Sequence, residues 1–393
     1  MSSQIPTKTE PKHFAYLDAV RGYAFLGVLC THVASLVGAF PWRWLPEQGA
    51  FGVQLFFLAS AITLCQSMQA RQKVDAHPVL FFYLRRLFRI APLFWAAMVF
   101  YWLFPKVMPT FWLTQYAPEG VHSSYFFLTA FFLHGWHPYT LNSIVPGGWS
   151  IAVEMTFYAF FPIIFFCLNS LKRTAVAALL GLVVIEATLA KWGYAWTRQQ
   201  FFPAVPDKVW EYFSAHWFPA QLTVFLTGFL VWRLLDADRV KTLVKDRFWA
   251  AWLLAFAFFI LLNLLHGIRG GFVDPANYIV LALAGIIIAI SGGALVLCIN
   301  PLVCHLGKIS YSCYLAHFAA LGLTMKLLGL SFSPEAAFFD TGQALTNLLL
   351  FVKIITIALL MTAAIATVTY HLIETPGIAL GRKTIARLST RAK

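Results

Sequence analysis

Ionisable side chains are rare in this chain, and those that interrupt its apolar stretches are where chemistry has to be sought. The segment LDAVRGYAFLGVLCTH carries Asp18, Arg21 and His32. On a helix, Asp18 and Arg21 are i, i+3 neighbours able to pair. Arg21 and His32, eleven residues apart, fall on one stripe within about 20° and lie about 16 Å apart along the axis. FYLRRLFRIAP sets Arg86 and Arg89 on one face with Arg85 beside them. Such forked guanidinium groups suit phosphate oxygens; an anchor on anionic headgroups explains them equally well. GGWSIAVEMTFY holds Trp149, Ser150 and, inside apolar sequence, Glu154. GKISYSCYLAHF steps Tyr311, Tyr314 and His317 along one side, and YHLIETP places His371 and Glu374 before Pro376. An imidazole and a carboxylate buried together are the parts of a general acid–base site, and an ionisable group at membrane depth marks function or pairs with another.

The elements that must position these groups are membrane helices. Of the 393 residues, 60% are hydrophobic and 11% charged, and the mean hydropathy is +0.72. A soluble chain carries about 25% charged residues. Apolar blocks of about twenty residues match the roughly 30 Å hydrocarbon core. The expected architecture is an all-α polytopic membrane protein with ten spans, at about Leu17–Gly38, Ala50–Met68, Val79–Phe104, Trp149–Asn169, Thr174–Trp192, Trp217–Leu235, Phe248–Gly267, Ala276–Ile299, Lys308–Leu330 and Ala344–His371. Pro92 is an expected kink in the third. With ten spans and both termini cytoplasmic, 21 of the 29 Lys and Arg residues lie on inner segments, the asymmetry that orients membrane proteins. The apolar segment 125–133 is too short to span and reads as a re-entrant or interfacial piece, tolerated where protein or a watery cavity covers it. Residues 1–16 read as a cytoplasmic tail without a cleavable signal, 17–372 as the transmembrane domain, and 373–393 as a basic cytoplasmic tail.

The net charge of +13 follows from this asymmetry and does not call for nucleic acid, since no basic stretch forms a groove. The six cysteines show no CxxC spacing. His134 and His137 have metal-like spacing but no third ligand, so no metal is expected. The closest geometric match concerns depth. Glu154, entering from the outer side, and His32, rising from the inner side, both fall about 22 Å above the inner face. The pair is expected to share one cavity, directly or through one water. Each residue also has a plainer reading, as a packing histidine, an inner-face arginine or an interhelical hydrogen bond.

Taken together, LDAVRGYAFLGVLCTH and FGVQLFFLASAITL, Arg86 and Arg89, WSIAVE at Trp149, Ser150 and Glu154, SYSCYLAH at Ser310–His317, and Glu374 before Pro376 resemble the acyltransferase-3 family. These are integral membrane O-acyltransferases that modify surface polysaccharides, lipopolysaccharide, antibiotics and other acceptors. The resemblance runs in order along nearly the whole chain. Three departures stand out. Ser60-Ala61 replaces a usual Ser-Gly, which should restrict close packing. Glu154 is followed by Met155 instead of a second glutamate. No hydrolase-like outer domain follows the last span, although some members have one.

The resemblance implies a multi-pass protein of the cell (inner) membrane, an acyl-CoA donor, usually acetyl-CoA, and a hydroxyl on a sugar or glycoconjugate. The catalytic set would be His32, Glu154, Arg21 and His317. Arg85, Arg86, Arg89 and Tyr311 would hold the cofactor, and Asp18, Trp149, Ser150, Tyr314 and Glu374 would support substrate. An extended pantetheine arm, on the order of 16–20 Å, equals the rise from Arg21 to His32. His32 acts either as a general base toward the acceptor hydroxyl or as an acylated relay, and Tyr314, Trp149 or Ser150 would stabilise the tetrahedral oxyanion. The rival function is a proton-coupled transporter or flippase of a sugar or lipid-linked sugar. It lacks the repeated halves common in transporters, because each motif occurs once.

Overall fold

Hydrocarbon leaves no water for unpaired backbone N–H and C=O groups, so long apolar runs satisfy them within helices. The computed structural model describes residues 14–104, 121–182, 192–246, 249, 251–254, 256–257, 275–293, 295–330 and 339–391. Among these the regular structure is helical, and the extended pairing is limited to an isolated parallel bridge between Val37 and Phe339. The helices are α1 Ala15–Leu36, α2 Gly52–Arg71, α3 Pro78–Leu103, α4 Ser123–Ala130, α5 Gly148–Cys167, α6 Leu171–Leu180, α7 Tyr194–Phe201, α8 Asp207–His216, α9 Phe218–Asp236, α10 Asp238–Lys245, α11 Pro275–Ser291, α12 Pro301–Lys308, α13 Ser310–Leu327, α14 Ala344–Thr369 and α15 Thr375–Arg391.

Six helical runs among the described residues are long and apolar enough to cross a bilayer: Ala15–Leu36, Trp44–Arg71, Pro78–Leu103, Gly148–Cys167, Asp207–Asp236 and Ala344–Thr390. The four other expected spans differ for separate reasons. The fifth appears as α6, with 183–191 outside the described residues, and most of the seventh also lies outside them. The eighth, α11, stops at Ser291, short of the expected Ile299. The ninth, α13, is diluted by its Ser, Tyr and His residues.

Close helix approach rests on small residues, as expected where lipid supplies no hydrophobic drive. Gly22 of α1 faces Val303 of α12, and Gly307 of α12 faces the backbone of Asp18. The larger residue at Ala61 is accommodated from the other side. Ala61 is fully buried, and a Cβ on Gly228 of α9 would stand 2.6 Å from its methyl. The partner helix gives up the side chain that α2 keeps. Phenylalanines fill the space between α2, α5 and α9, with Phe157 and Phe225 stacked at 3.9 Å and Phe57 against Phe225 at 4.8 Å.

Segment 125–133 falls on α4, Ser123–Ala130, eight residues and hence about 12 Å long, and on the turn after it, with Phe127 and Phe131 exposed. The irregular stretch after it turns inward: residues 140–150 are all buried. The segment from 373 onward, read as a tail, is helical through Arg391. A π-helical turn, Tyr370–Glu374, joins α14 to α15, and α15 packs on α3, Gly377 against Pro92 and Gly381 against Phe88. α3 remains one helix through Pro92.

Candidate active site

Five helices, α1, α2, α3, α5 and α13, line a cavity of about 150 Å³. α2 contributes Val53, Phe56, Phe57, Ser60 and Thr63, a stripe about 15 Å long at helical rise. α5 runs the same way and contributes Ser150, Ile151, Glu154 and Tyr158. Arg21, Arg86 and Arg89 enter near the starts of α1 and α3, and Ser310, Tyr311 and Tyr314 near the start of α13. α1, α3 and α13 therefore run one way while α2 and α5 run the other, as alternate spans of a polytopic chain must.

The cavity is polarised. At one end Arg21 donates from Nη2 to Thr63 Oγ1 at 2.6 Å and pairs with Asp18 at 3.7 Å. The Arg86 guanidinium lies 5.9 Å over the Tyr158 ring, and its buried Nε has no partner among the described contacts. Arg89 is the third half-buried cation here; Glu154 lines the same cavity, Asp18 pairs with Arg21, and Glu374 lies near Arg89. Forked guanidinium groups gathered in this way suit the oxygens of an anion. Arg85 does not take part. It turns away to pair with Asp75 at 2.7 Å, because adjacent helical residues point about 100° apart. Glu374, fully buried in the π-turn, accepts from Ser312 Oγ at 2.7 Å and lies within Coulomb reach of Arg89.

Midway, Glu154 Oε1 accepts from Ser60 Oγ and Tyr158 OH, both at 2.5 Å. Tyr311 OH donates to the carbonyl of Ile90 at 2.7 Å, tying α13 to α3. At the far end Val53, Phe56, Phe57 and Ile151 form an apolar wall beside Ser150 and Tyr314. Tyr314 OH accepts from Ser150 Oγ at 2.9 Å and donates to the carbonyl of Gly147 at 3.0 Å. Gly147 adopts φ +70°, and a Cβ there would stand 3.1 Å from that hydroxyl. Both the backbone and the close approach require glycine.

His317 follows one turn along α13. Its Nδ1 lies 2.5 Å from the carbonyl of Tyr314, which can only accept, so Nδ1 carries the proton and Nε2 the lone pair. That Nε2 is buried without a partner among the described contacts. His32 stacks on His317 with centroids 5.3 Å apart and sits 4.7 Å from Phe318. The Tyr314 ring, 5.4 Å from His317, connects this histidine pair to the cavity. Equal depth thus does not make His32 the hydrogen-bond partner of Glu154, whose bonds go to Ser60 and Tyr158, and His32 is not among the cavity-lining residues. Trp149 is buried behind the wall, edge-on to Phe57 at 6.0 Å and to His216 at 4.5 Å.

Sequence reasoning overlooked Tyr158 and Thr63 and took Ser60 as a packing residue. Tyr158, at i+4 from Glu154, was within reach of helical spacing. Hydroxyls in apolar helices commonly bond back to their own turn, so Thr63 gave no signal. His134 is buried by Phe94, its Nε2 donating to the carbonyl of Gly148 at 2.9 Å; burial pushes its pKa down to about 4. Among the described residues no three His, Cys, Asp or Glu side chains are grouped to hold a metal.

A family model described as an acyltransferase domain matches residues 14–370. The chain belongs to the acyltransferase-3 family. The match covers every cavity-lining residue and both histidines of the pair, so the acyltransferase carries its cavity within the family domain. No curated protein and no solved structure matches the chain.

Proposed function

We propose that this membrane acyltransferase moves an acetyl group from cytoplasmic acetyl-CoA to a hydroxyl of a carbohydrate or glycoconjugate at the cell membrane. The observation that carries the reading is the polarity of the cavity. Three arginines stand at one end and the Ser150 and Tyr314 hydroxyls at the other, along an α2 stripe about 15 Å long that suits an extended pantetheine arm, with the His32–His317 pair behind Tyr314. Arg21, Arg86 and Arg89 hold donor phosphates through charge-assisted hydrogen bonds; Arg85, paired to Asp75, borders this end. Tyr311 anchors α13 against α3 beside the arm, and Glu374 with Ser312 steadies Arg89. Asp18 orients Arg21, and Trp149 backs the wall.

The thioester lies beside Tyr314 and Ser150, whose hydroxyls, hydrogen-bonded to the Gly147 carbonyl and to each other, would turn their protons to the developing oxyanion. The acceptor hydroxyl approaches from the His32 side. Its oxygen attacks the thioester carbonyl as His32 takes the proton. The C–S bond then breaks, and the proton passes to the leaving thiolate, giving an ester and free CoA. His317, its tautomer set by the Tyr314 carbonyl, packs His32 in place and offers a second lone pair for the proton. Glu154, held by Ser60 and Tyr158, offsets the arginines.

The test uses proteoliposomes supplied with [14C]acetyl-CoA on the arginine side and envelope glycans on the other. Label should appear in alkali-labile esters on glycan. Movement of unmodified glycan without label would overturn the reading in favour of transport. Label retained on His32 after a quench without acceptor would replace direct attack by an acyl-histidine relay.

A further inference from the structure

At the end remote from the arginines the cavity is lined by Val53, Phe56, Phe57 and Ile151. Val53, Phe57 and Ile151 are buried and have little room to turn aside, and the half-buried Phe56 is held on one side. Phe57 is 2% exposed and is held between Trp149 and Phe225 at ring distances of 6.0 and 4.8 Å. Phe56 meets the Tyr314 ring edge-on at 6.1 Å, and that tyrosine is fixed by Ser150 and Gly147. Ile151 and Val53 are buried at the starts of α5 and α2. A wall packed in this way is not readily displaced, because protein interiors are close-packed.

We infer that this wall sets the length of the acyl group, with Phe56 and Val53 as the specificity-determining residues that admit acetyl and reject longer chains. The inference rests on the donor reading above: with phosphates on the arginines and the arm along the α2 stripe, the acyl carbons beyond the thioester meet Phe56 and Val53. A two-carbon group ends before the wall. Each added methylene must displace ring or branched-chain atoms that are themselves packed. One methylene too many in a fitted apolar pocket changes selection by about 10-fold or more.

The full chain in nanodiscs of zwitterionic lipid is titrated by calorimetry with CoA, acetyl-CoA, butyryl-CoA and hexanoyl-CoA, for the wild type, Phe56→Ala and the milder Val53→Ala. Wild type is expected to prefer acetyl-CoA over hexanoyl-CoA by about 10-fold or more. In Phe56→Ala the ratio should fall to about threefold or less, and in Val53→Ala it should fall part of the way. Equal wild-type affinities for acetyl-CoA and hexanoyl-CoA would overturn the inference while leaving the donor reading intact. So would a ratio unchanged in a variant that still binds CoA. Failure of wild type to bind CoA in any form would overturn the donor reading and the inference with it.

Discussion

α13 and α14 pack against each other along much of their length, yet they meet opposite surroundings. In α13 every residue from Ser310 to Leu321 is buried, including two serines, two tyrosines and His317. In α14, the longer and more apolar of the two, the buried residues are Asn347, Ile354, Ala358, Thr362 and Ala366, while Leu345, Leu349 and Leu360 are more than 60% exposed. A soluble protein would place these two helices the other way round. In a bilayer, lipid solvates apolar side chains as well as protein does, so hydrophobicity decides little about which face turns inward. Polar groups have no such freedom and must find partners inside the bundle. The helix that looks least like a span is therefore the one buried along its polar residues, three of which line the cavity.

The sharpest way to break this contrast is at the histidine pair. His32→Gln keeps hydrogen-bonding capacity without basicity, and acetyl transfer should fall by about 100-fold or more, the scale of a positioned base. Membrane abundance should be normal and acetyl-CoA affinity nearly unchanged. His317→Gln in α13 should lower transfer by a smaller factor, about 10-fold, because its lone pair serves as the secondary acceptor. If His317→Gln proves the more damaging in single-turnover assays, the base belongs to α13 itself. At the cationic end, Arg89→Ala and Arg86→Ala should each raise the acetyl-CoA concentration for half-maximal rate by about 10-fold, the worth of a charge-assisted contact. Wild-type dependence in both would reduce the arginines to headgroup anchors. The smallest effect belongs to α14. Leu360→Ala, on the lipid-facing surface, should leave the rate within about twofold, as substitutions away from packed or polar features do. A large loss there, measured in the same proteoliposomes, would mean that this face is covered.

The legible parts of the site were the residues that membrane sequence disfavours. Arg21, Arg86, Arg89 and Glu154 announced themselves by charge, and Tyr311 and Tyr314 by their spacing, and all six line one cavity. What spacing along an axis cannot supply is azimuth. Helical rise puts His32 and Glu154 at one depth, yet Glu154 lines the cavity while His32 lies against His317 and Phe318. Arg85 sits in the same run as Arg86 but one residue's rotation carries it to Asp75. The apolar wall was silent because Val53, Phe56 and Phe57 are ordinary residues in an apolar helix. The C-terminal segment read as a cytoplasmic tail because it is basic and follows the last expected span; Gly377 and Gly381, which fit it to α3, gave no signal.

That C-terminal helix bears on how the molecule is made. Residues 375–391 leave the ribosome after every cavity-lining residue, yet they brace α3 on either side of Arg89, at Phe88 and Pro92. Membrane helices insert in order as they are translated, so α1, α2, α3 and α5 are in place with their arginines well before α13 closes the cavity and α15 clamps it from outside. A half-made chain thus exposes a cationic cleft before α13 completes the cavity. For the same reason, a protease that trims α15 would leave α3 unbraced without touching any residue that lines the cavity.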